Sequence, residues 1–322
     1  MSRYMKLDQI DPEEQLQVRH ACACEVERLT QAEAAERFGI TRLRVNKALS
    51  EARRGGILRV SVDSVFAAAA ELEWQLERQF RLLRAVVVPS PEDPASVTSL
   101  VAAGLGDHLG EVLQDKALTR FGMSSGNTLN LATRHMQPLD RPDLEVVSVM
   151  GGVSRCSDVN GYEITTRLAD LCNAEHSFFT VPLYAGSVES KAQFMAQNVI
   201  ADQLAKLRSC EAIALATGDL DSSLLLRDAM PSGVDLAELK ALGGVGDIMG
   251  HVLDADGALI DHPINSQVVG LSLDDVAAIK NVILAAGGAH KVPVIGAALK
   301  RGFVDTLVTD DKTAKALLER EA

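Results

Sequence analysis

Residues 29–54 read Leu-Thr-Gln-Ala-Glu-Ala-Ala-Glu-Arg-Phe-Gly-Ile-Thr-Arg-Leu-Arg-Val-Asn-Lys-Ala-Leu-Ser-Glu-Ala-Arg-Arg. The pattern predicts two short helices joined by a tight turn. Thr30 suits an N-cap, and Glu33 follows at capping-box spacing. Ala34, Ala35 and Phe38 give one apolar face, and Gly39 suits the positive φ that ends such a helix. Ile40 returns to the core and Thr41 is placed to cap a second helix. There Val45 and Leu49 point inward, four residues apart, leaving Arg42, Arg44, Asn46 and Lys47 outside. This is the design of a helix-turn-helix, whose second helix enters the major groove of DNA.

Local charge agrees. Between Thr41 and Val60 stand six basic residues (Arg42, Arg44, Lys47, Arg53, Arg54, Arg59) and one acid, Glu51, on a chain whose net charge is −12. A basic island on an acidic protein is the footprint of a polyanion partner, because phosphate neutralisation supplies much of nucleic-acid affinity. A solvated helical hairpin is the plainer alternative. Thr41, Arg42, Arg44, Asn46, Lys47, Arg53 and Arg54 are the candidate DNA-binding residues. Arg44 and Asn46 are assigned to base edges, Arg53 and Arg54 to phosphate.

Working outward, Pro12 to Arg28 predicts a first helix, with Leu16, His20 and Cys24 at helical spacing. Gly55-Gly56 breaks the pattern, and Ile57-Leu58-Arg59-Val60-Ser61-Val62 alternates as a small wing strand would. A DNA-binding domain over residues 1–63 results. Residues 64–83 form a linker or oligomerisation helix with Leu72, Leu76 and Phe80 in a stripe. That stripe either packs on a partner subunit or caps the core of the following domain. Helix-turn-helix proteins usually work as dimers, so a homo-oligomer, dimer or tetramer, is expected.

Residues 84–322 alternate apolar strands with helices. Strands are predicted at 85–88, 117–121, 144–149, 177–181, 212–216, 282–285 and 306–308. Helices are predicted at 96–113, 128–136, 163–174 and 191–207. Continuous apolar strands alternating with helices imply a doubly wound, mostly parallel α/β sheet covered on both faces. Ligands of such sheets sit beyond the carboxyl ends of the strands.

The length of 322 residues fits two domains, and 47% hydrophobic content is ample for a core even with 4% aromatics. No apolar run reaches membrane-spanning length and no secretory segment opens the chain, so a cytoplasmic location is expected. Five cysteines without regular spacing fit reduced thiols. Cys22 and Cys24 are read as small buried hydrophobes rather than metal ligands, because residues two apart do not share a helix face.

Four loops are candidates for a ligand. Gly122-Met123-Ser124-Ser125-Gly126-Asn127-Thr128 joins a strand to a helix and combines glycines with hydroxyls. Backbone amides at a helix N-terminus bind anions. No Lys-Ser/Thr ending follows, so it is not a nucleotide P-loop. Met150-Gly151-Gly152-Val153 also lies just past a strand. In Gly243-Gly244-Val245-Gly246-Asp247-Ile248, Asp247 is either a sugar-hydroxyl acceptor or a plain turn residue. In Ala285-Ala286-Gly287-Gly288-Ala289-His290-Lys291, Lys291 is either an anion partner or a solvated cation. Together they suggest a small polyhydroxylated, optionally phosphorylated, ligand, with no metal and no cofactor. Catalytic motifs such as His-Glu-x-x-His or Cys-x-x-Cys are absent, and nothing demands turnover.

The chain resembles the SorC-type sugar-responsive bacterial regulators. The similarity rests on Ala52-Arg53-Arg54-Gly55-Gly56-Ile57 and on the C-terminal series Gly246-Asp247-Ile248-Met249-Gly250, Asp254-Ala255-Asp256-Gly257, Gly270-Leu271-Ser272-Leu273-Asp274-Asp275, Ala286-Gly287-Gly288 with Lys291, Ala297-Ala298-Leu299, and Leu307-Val308-Thr309-Asp310. The resemblance implies a larger domain with the fold of glucosamine-6-phosphate deaminase and ribose-5-phosphate isomerase, its catalysis lost and its sugar site kept. It implies that Ser124, Ser125, Gly126, Asn127 and Thr128 hold an effector phosphate, that Asp247 binds hydroxyls and that Lys291 lies at the effector site. Gly151 and Gly152 complete the expected site. The chain departs from the family at Ala216-Thr217-Gly218-Asp219, where Gly-Xaa-Gly is frequent, and its phosphate loop lacks a further basic residue. The expectation is a DNA-binding regulator of carbohydrate or polyol metabolism, controlled by a sugar, polyol or sugar phosphate. The rivals are a sugar-phosphate isomerase or deaminase with a DNA-binding appendage, and an adaptor that never meets DNA.

Overall fold

The structure, a computed structural model, describes residues 12–27, 29–57, 67–153 and 160–320. The chain divides into two compact units, Met1–Ala67 and Ala68–Ala322.

The smaller unit holds α1 (Pro12–Ala21), α2 (Gln31–Phe38) and α3 (Arg42–Arg54). The first helix is shorter than expected, because Cys22–Val26 continue it as a π-helical turn. Thr30 and Glu33 form the reciprocal capping box, each satisfying a backbone amide of the other. Gly39 takes φ 63° and closes α2. The Thr41 hydroxyl accepts the Arg44 amide at the start of α3. Ala34, Ala35, Val45 and Leu49 bury themselves with Ala21 and Ala23 as the unit's own core. Cys22 is exposed, so the expected buried role does not hold for it. It opens the π-helical turn, next to buried Ala23, and Cys24 is half-buried. The expected wing strand, residues 57–62, lies almost wholly outside the described residues.

The larger unit opens with α4 (Ala67–Phe80) and continues as β1 (Arg84–Val88), α5 (Val97–Val112), β2 (Arg120–Met123), α6 (Asn127–His135), β3 (Glu145–Ser148), α7 (Gly161–Cys172), β4 (Glu175–Ser177), α8 (Val188–Met195), α9 (Asn198–Arg208), β5 (Ala212–Leu215) and β6 (Thr217–Asp219). Then come α10 (Leu224–Ala229), α11 (Leu236–Ala241), β7 (Gly244–Ile248), β8 (His251–Asp254), α12 (Pro263–Gln267), α13 (Leu273–Ala277), β9 (Asn281–Ala285), α14 (Val292–Arg301), β10 (Thr306–Asp310) and α15 (Asp311–Arg320).

Seven strands form one sheet in the order β1-β10-β9-β5-β2-β3-β4, and every pairing in it is parallel. Strand alternation splits the core in two. Phe121, Val146, Ala214, Ile283 and Val308 face α5, α6 and α7. Val147, Ile213, Leu215, Leu284 and Leu307 face the other way, toward α9, α14 and α15. Leu72 and Leu76 of α4 are buried in that second layer, so its stripe packs on its own unit. Along the β1 edge, α4 does more. The Glu77 carboxylate accepts the Ala85 amide at 3.0 Å and the Glu73 carboxylate accepts that of Val87 at 2.9 Å.

The structure corrects the sequence expectations in several places. The strand expected at 117–121 runs from Arg120 to Met123, because Asp115 first turns the chain by accepting the Ala117 amide. The strand expected at 177–181 is Glu175–Ser177; beyond it Phe178 leaves the sheet to pack on Tyr162. The helix expected over 191–207 is two helices, parted where Gln197 takes an extended conformation. The stretch 243–248, expected as a loop, is β7, the middle strand of an antiparallel sheet β6-β7-β8.

Candidate functional site

From the adjacent strands β2 and β5 the sheet order runs outward both ways, to β3 and β4 on one side and to β9 and β10 on the other. Crevices form beyond the strand ends where the order reverses. A cavity of about 270 Å³ lies there, lined from the loops after β2, β5 and β9. It falls near the small end of the range for ligand sites, roughly 300–1,000 Å³.

One wall is the start of α6. Gly126 takes φ 142° as its N-cap, and a Cβ there would stand 2.9 Å from that of Ala216. The bend brings Ser125, Gly126, Asn127 and Thr128 to the cavity. The first-turn amides of a helix have no intrahelical acceptor, so they and the helix dipole favour an anion.

Two carboxylates stand at or beside the lining: Asp247 lines the cavity, and Asp219 contacts the lining residues Ser222 and His290. Asp247, on β7, is 1% exposed. The Ser223 hydroxyl donates to its Oδ1, and the Gly250 amide donates to its Oδ2 at 3.1 Å. Burial pushes its carboxyl up to about 6, against the pull of those hydrogen bonds and of Lys291. Asp219, at the end of β6, accepts the amides of Asp221 and Ser222, each at 3.0 Å, and the Ser222 hydroxyl. Burial acts to raise its carboxyl, but those donors and nearby His290 outweigh it and hold it below the ordinary value. His290 Nε2 stands 3.8 Å from Asp219 Oδ2.

Lys291 ends the 3₁₀ turn Ala289–Lys291 and also lines the cavity. Burial lowers its ammonium below the ordinary value, while the charges of Asp219 and Asp247 oppose that. No carboxylate among the described residues closes an ion pair with it. Its turn is pinned from behind, because the Gly288 amide donates to Asp310 Oδ1 at 3.1 Å and to the Thr313 hydroxyl at 2.8 Å.

Six of the nine expected ligand residues therefore converge: Ser125, Gly126, Asn127, Thr128, Asp247 and Lys291. Ser124 lies behind the wall, its buried hydroxyl without a hydrogen-bond partner among the described residues. Gly151 and Gly152 do not line the cavity. Their small size serves packing, since a Cβ on Gly151 would meet the Pro182 carbonyl at 2.5 Å and one on Gly152 the Tyr162 hydroxyl at 2.9 Å. The sequence reading missed Thr98, Thr217, Ser223 and His290, which line the cavity, and Asp219, which stands beside His290. The one signal for them was Gly218-Asp219, a turn-like pair directly past a strand.

The smaller unit presents a second surface. Arg42, Arg44, Asn46, Lys47, Arg53 and Arg54 are all exposed on α3. Arg53 pairs with Glu25 at 3.2 Å and Lys47 approaches Glu51 at 3.8 Å. At about 100° per residue, the centre of the face opposite Val45, Ala48, Leu49 and Ala52 falls on Leu43, Lys47, Ser50 and Arg54. Arg44 and Asn46 stand on opposite flanks of that face. Leu43, which the sequence reading passed over, is 79% exposed.

Among the described residues no cluster of three or more His, Cys, Asp or Glu is placed to hold a metal, and no helix is long and apolar enough to cross a membrane.

The profile of a family described as "Putative sugar-binding domain" matches residues 64–319. The chain is 30% identical over 294 residues to the transcriptional regulator LsrR of Escherichia coli O139:H28, covering 90% of each. It is 27% identical over 320 residues to the erythritol catabolism regulatory protein EryD of Brucella abortus, covering 96% of this chain and 98% of the relative. The full-length sorbitol operon regulator SorC of Klebsiella pneumoniae shares the fold with a TM-score of 0.69 at 22% identity, over 96% of this chain and 100% of that one.

Proposed function

The chain belongs to the SorC-type family of sugar-binding bacterial transcriptional regulators, and from that premise we propose that its cavity senses a small phosphorylated sugar or polyol. The observation that carries this is the meeting, in one cavity, of a helix N-terminus, the buried carboxylate of Asp247 and a lysine without an ion-pair partner among the described residues. The α6 amides, Ser125, Thr128 and Lys291 receive the phosphoryl group, and Asp247 receives hydroxyls. The relative named for erythritol catabolism favours a polyol. In this reading α3 lies in the major groove of operator DNA, the protein acts in the cytoplasm as a homo-oligomer, and the cavity is a sensor without turnover. An effector that prefers one arrangement of the protein shifts operator affinity by its differential binding, typically ~1–3 kcal/mol.

A thermal-shift screen against sugars, polyols and their phosphates tests it. A ligand confined to the folded state at 100 times its Kd adds about 2.7 kcal/mol of stability. Stabilisation by phosphorylated compounds, with no steady product formed from them, is the expected result. Response to free polyols alone would move the α6 loop to hydroxyl binding, and steady turnover would make the protein an isomerase or deaminase.

A further inference from the structure

The outward ridge of α3 contains one apolar side chain, and it is the most exposed large hydrophobic among the described residues: Leu43, at 79%. Its ridge neighbours at successive turns, Lys47, Ser50 and Arg54, are polar and exposed. Arg42 and Arg44 adjoin it in the sequence, and both are exposed. A protein-docking surface needs a contiguous apolar patch, which a single leucine among cations does not make. Leucine makes no hydrogen bonds, so it reads nothing of the donor and acceptor pattern of a base pair. The major groove offers it one apolar group, the C5-methyl of thymine. Leu43 also sits in the first turn of α3, the part of a recognition helix that reaches base edges.

We propose that Leu43 covers a thymine methyl on the major-groove floor and fixes an A·T pair at one position of the DNA site. This rests on the reading of α3 as the DNA-contacting helix. Lys47 and Arg54, farther along the same ridge, supply charge to the backbone and leave base identity at that position to the leucine.

The test starts from a randomised duplex library selected with the full-length protein and with Leu43→Ala. In the duplex enriched by the wild type, each thymine is exchanged in turn for uracil, which removes only the methyl. One exchange weakens wild-type binding about fourfold, the worth of one buried methyl group. The Leu43→Ala protein binds the thymine and uracil duplexes equally and selects no base at that position. Because Leu43 is exposed, its unfolding curve matches that of the wild type. Leu43→Gln provides an independent readout by moving the preference at that position toward a hydrogen-bonded adenine. A Leu43→Ala protein with wild-type thymine discrimination at every position overturns the assignment and leaves DNA binding standing. Failure of the wild type to enrich any sequence overturns the DNA-binding reading itself, and this proposal with it.

Discussion

Replacing Asp247 by Asn tests the electrostatics of the cavity in a way that separates charge from contact. Burial lifts the Asp247 carboxyl from 3.8 in the unfolded chain to about 6 in the folded one. Between those values the folded state binds a proton that the unfolded state does not, so stability falls as pH rises through the interval. Below it both states are protonated and the penalty is absent. The full penalty is about 3 kcal/mol, of which about 2 develops between pH 4 and pH 7. The Asn side chain does not titrate, so the difference in stability between D247N and wild type should move in favour of D247N by about 2 kcal/mol across that span. A constant offset from the altered Ser223 and Gly250 hydrogen bonds cancels in this comparison. Urea unfolding followed by fluorescence is suited to the purpose, because the single tryptophan, Trp74, lies in the larger unit on α4. A difference that stays flat from pH 4 to pH 7 would refute the argument: Asp247 would then be an ordinary solvated carboxylate.

Lys291→Gln should lower affinity for a phosphorylated effector about ten- to a hundredfold, the range of a lost charge-assisted hydrogen bond of ~1.5–3 kcal/mol. Calorimetry with the matching unphosphorylated compound should show little change, and an equal loss for both would remove Lys291 from the phosphoryl group. Thr30→Ala removes one half of the capping box and should cost the smaller unit about 1 kcal/mol. Hydrogen exchange of the α2 amides reads this directly, and unchanged protection would show the cap to be idle.

The two kinds of sheet in the larger unit were unequally legible. The strands of the parallel sheet are short apolar runs because both of their faces are buried, and apolar runs between helical stretches announce themselves. Strands β6 and β7 carry Thr217-Gly218-Asp219 and Gly244-Val245-Gly246-Asp247-Ile248, with neither alternation nor apolar density. Their glycines are dictated by distant atoms. A Cβ on Gly218 would lie 2.6 Å from Ser223, and one on Gly246 would lie 2.5 Å from the Gly218 carbonyl. Nothing local in the sequence expresses such a constraint. The same holds for the site. Ser125 to Thr128 could be read because an anion-binding helix start is a local device. Asp219 and Ser223 could not, because their role exists only once β6 pairs with β7. The helix-turn-helix was legible almost residue by residue, since caps, turn glycine and apolar spacing are all short-range. The exposed Leu43 escaped because apolar residues in a helix are ordinarily counted toward its core.

The carboxylates of Glu73 and Glu77 have a consequence for how copies of this chain can meet. An edge strand with free amides is a template on which another chain can continue the sheet. Here Ala85 and Val87 already donate to α4, and a newcomer would have to displace two charged acceptors to reach them. At the far edge, β4 offers only three residues. Lateral growth of the sheet is thus obstructed at one end and short of backbone at the other. Any association of copies of this chain is thereby steered away from strand addition along this sheet, the route toward unlimited polymers.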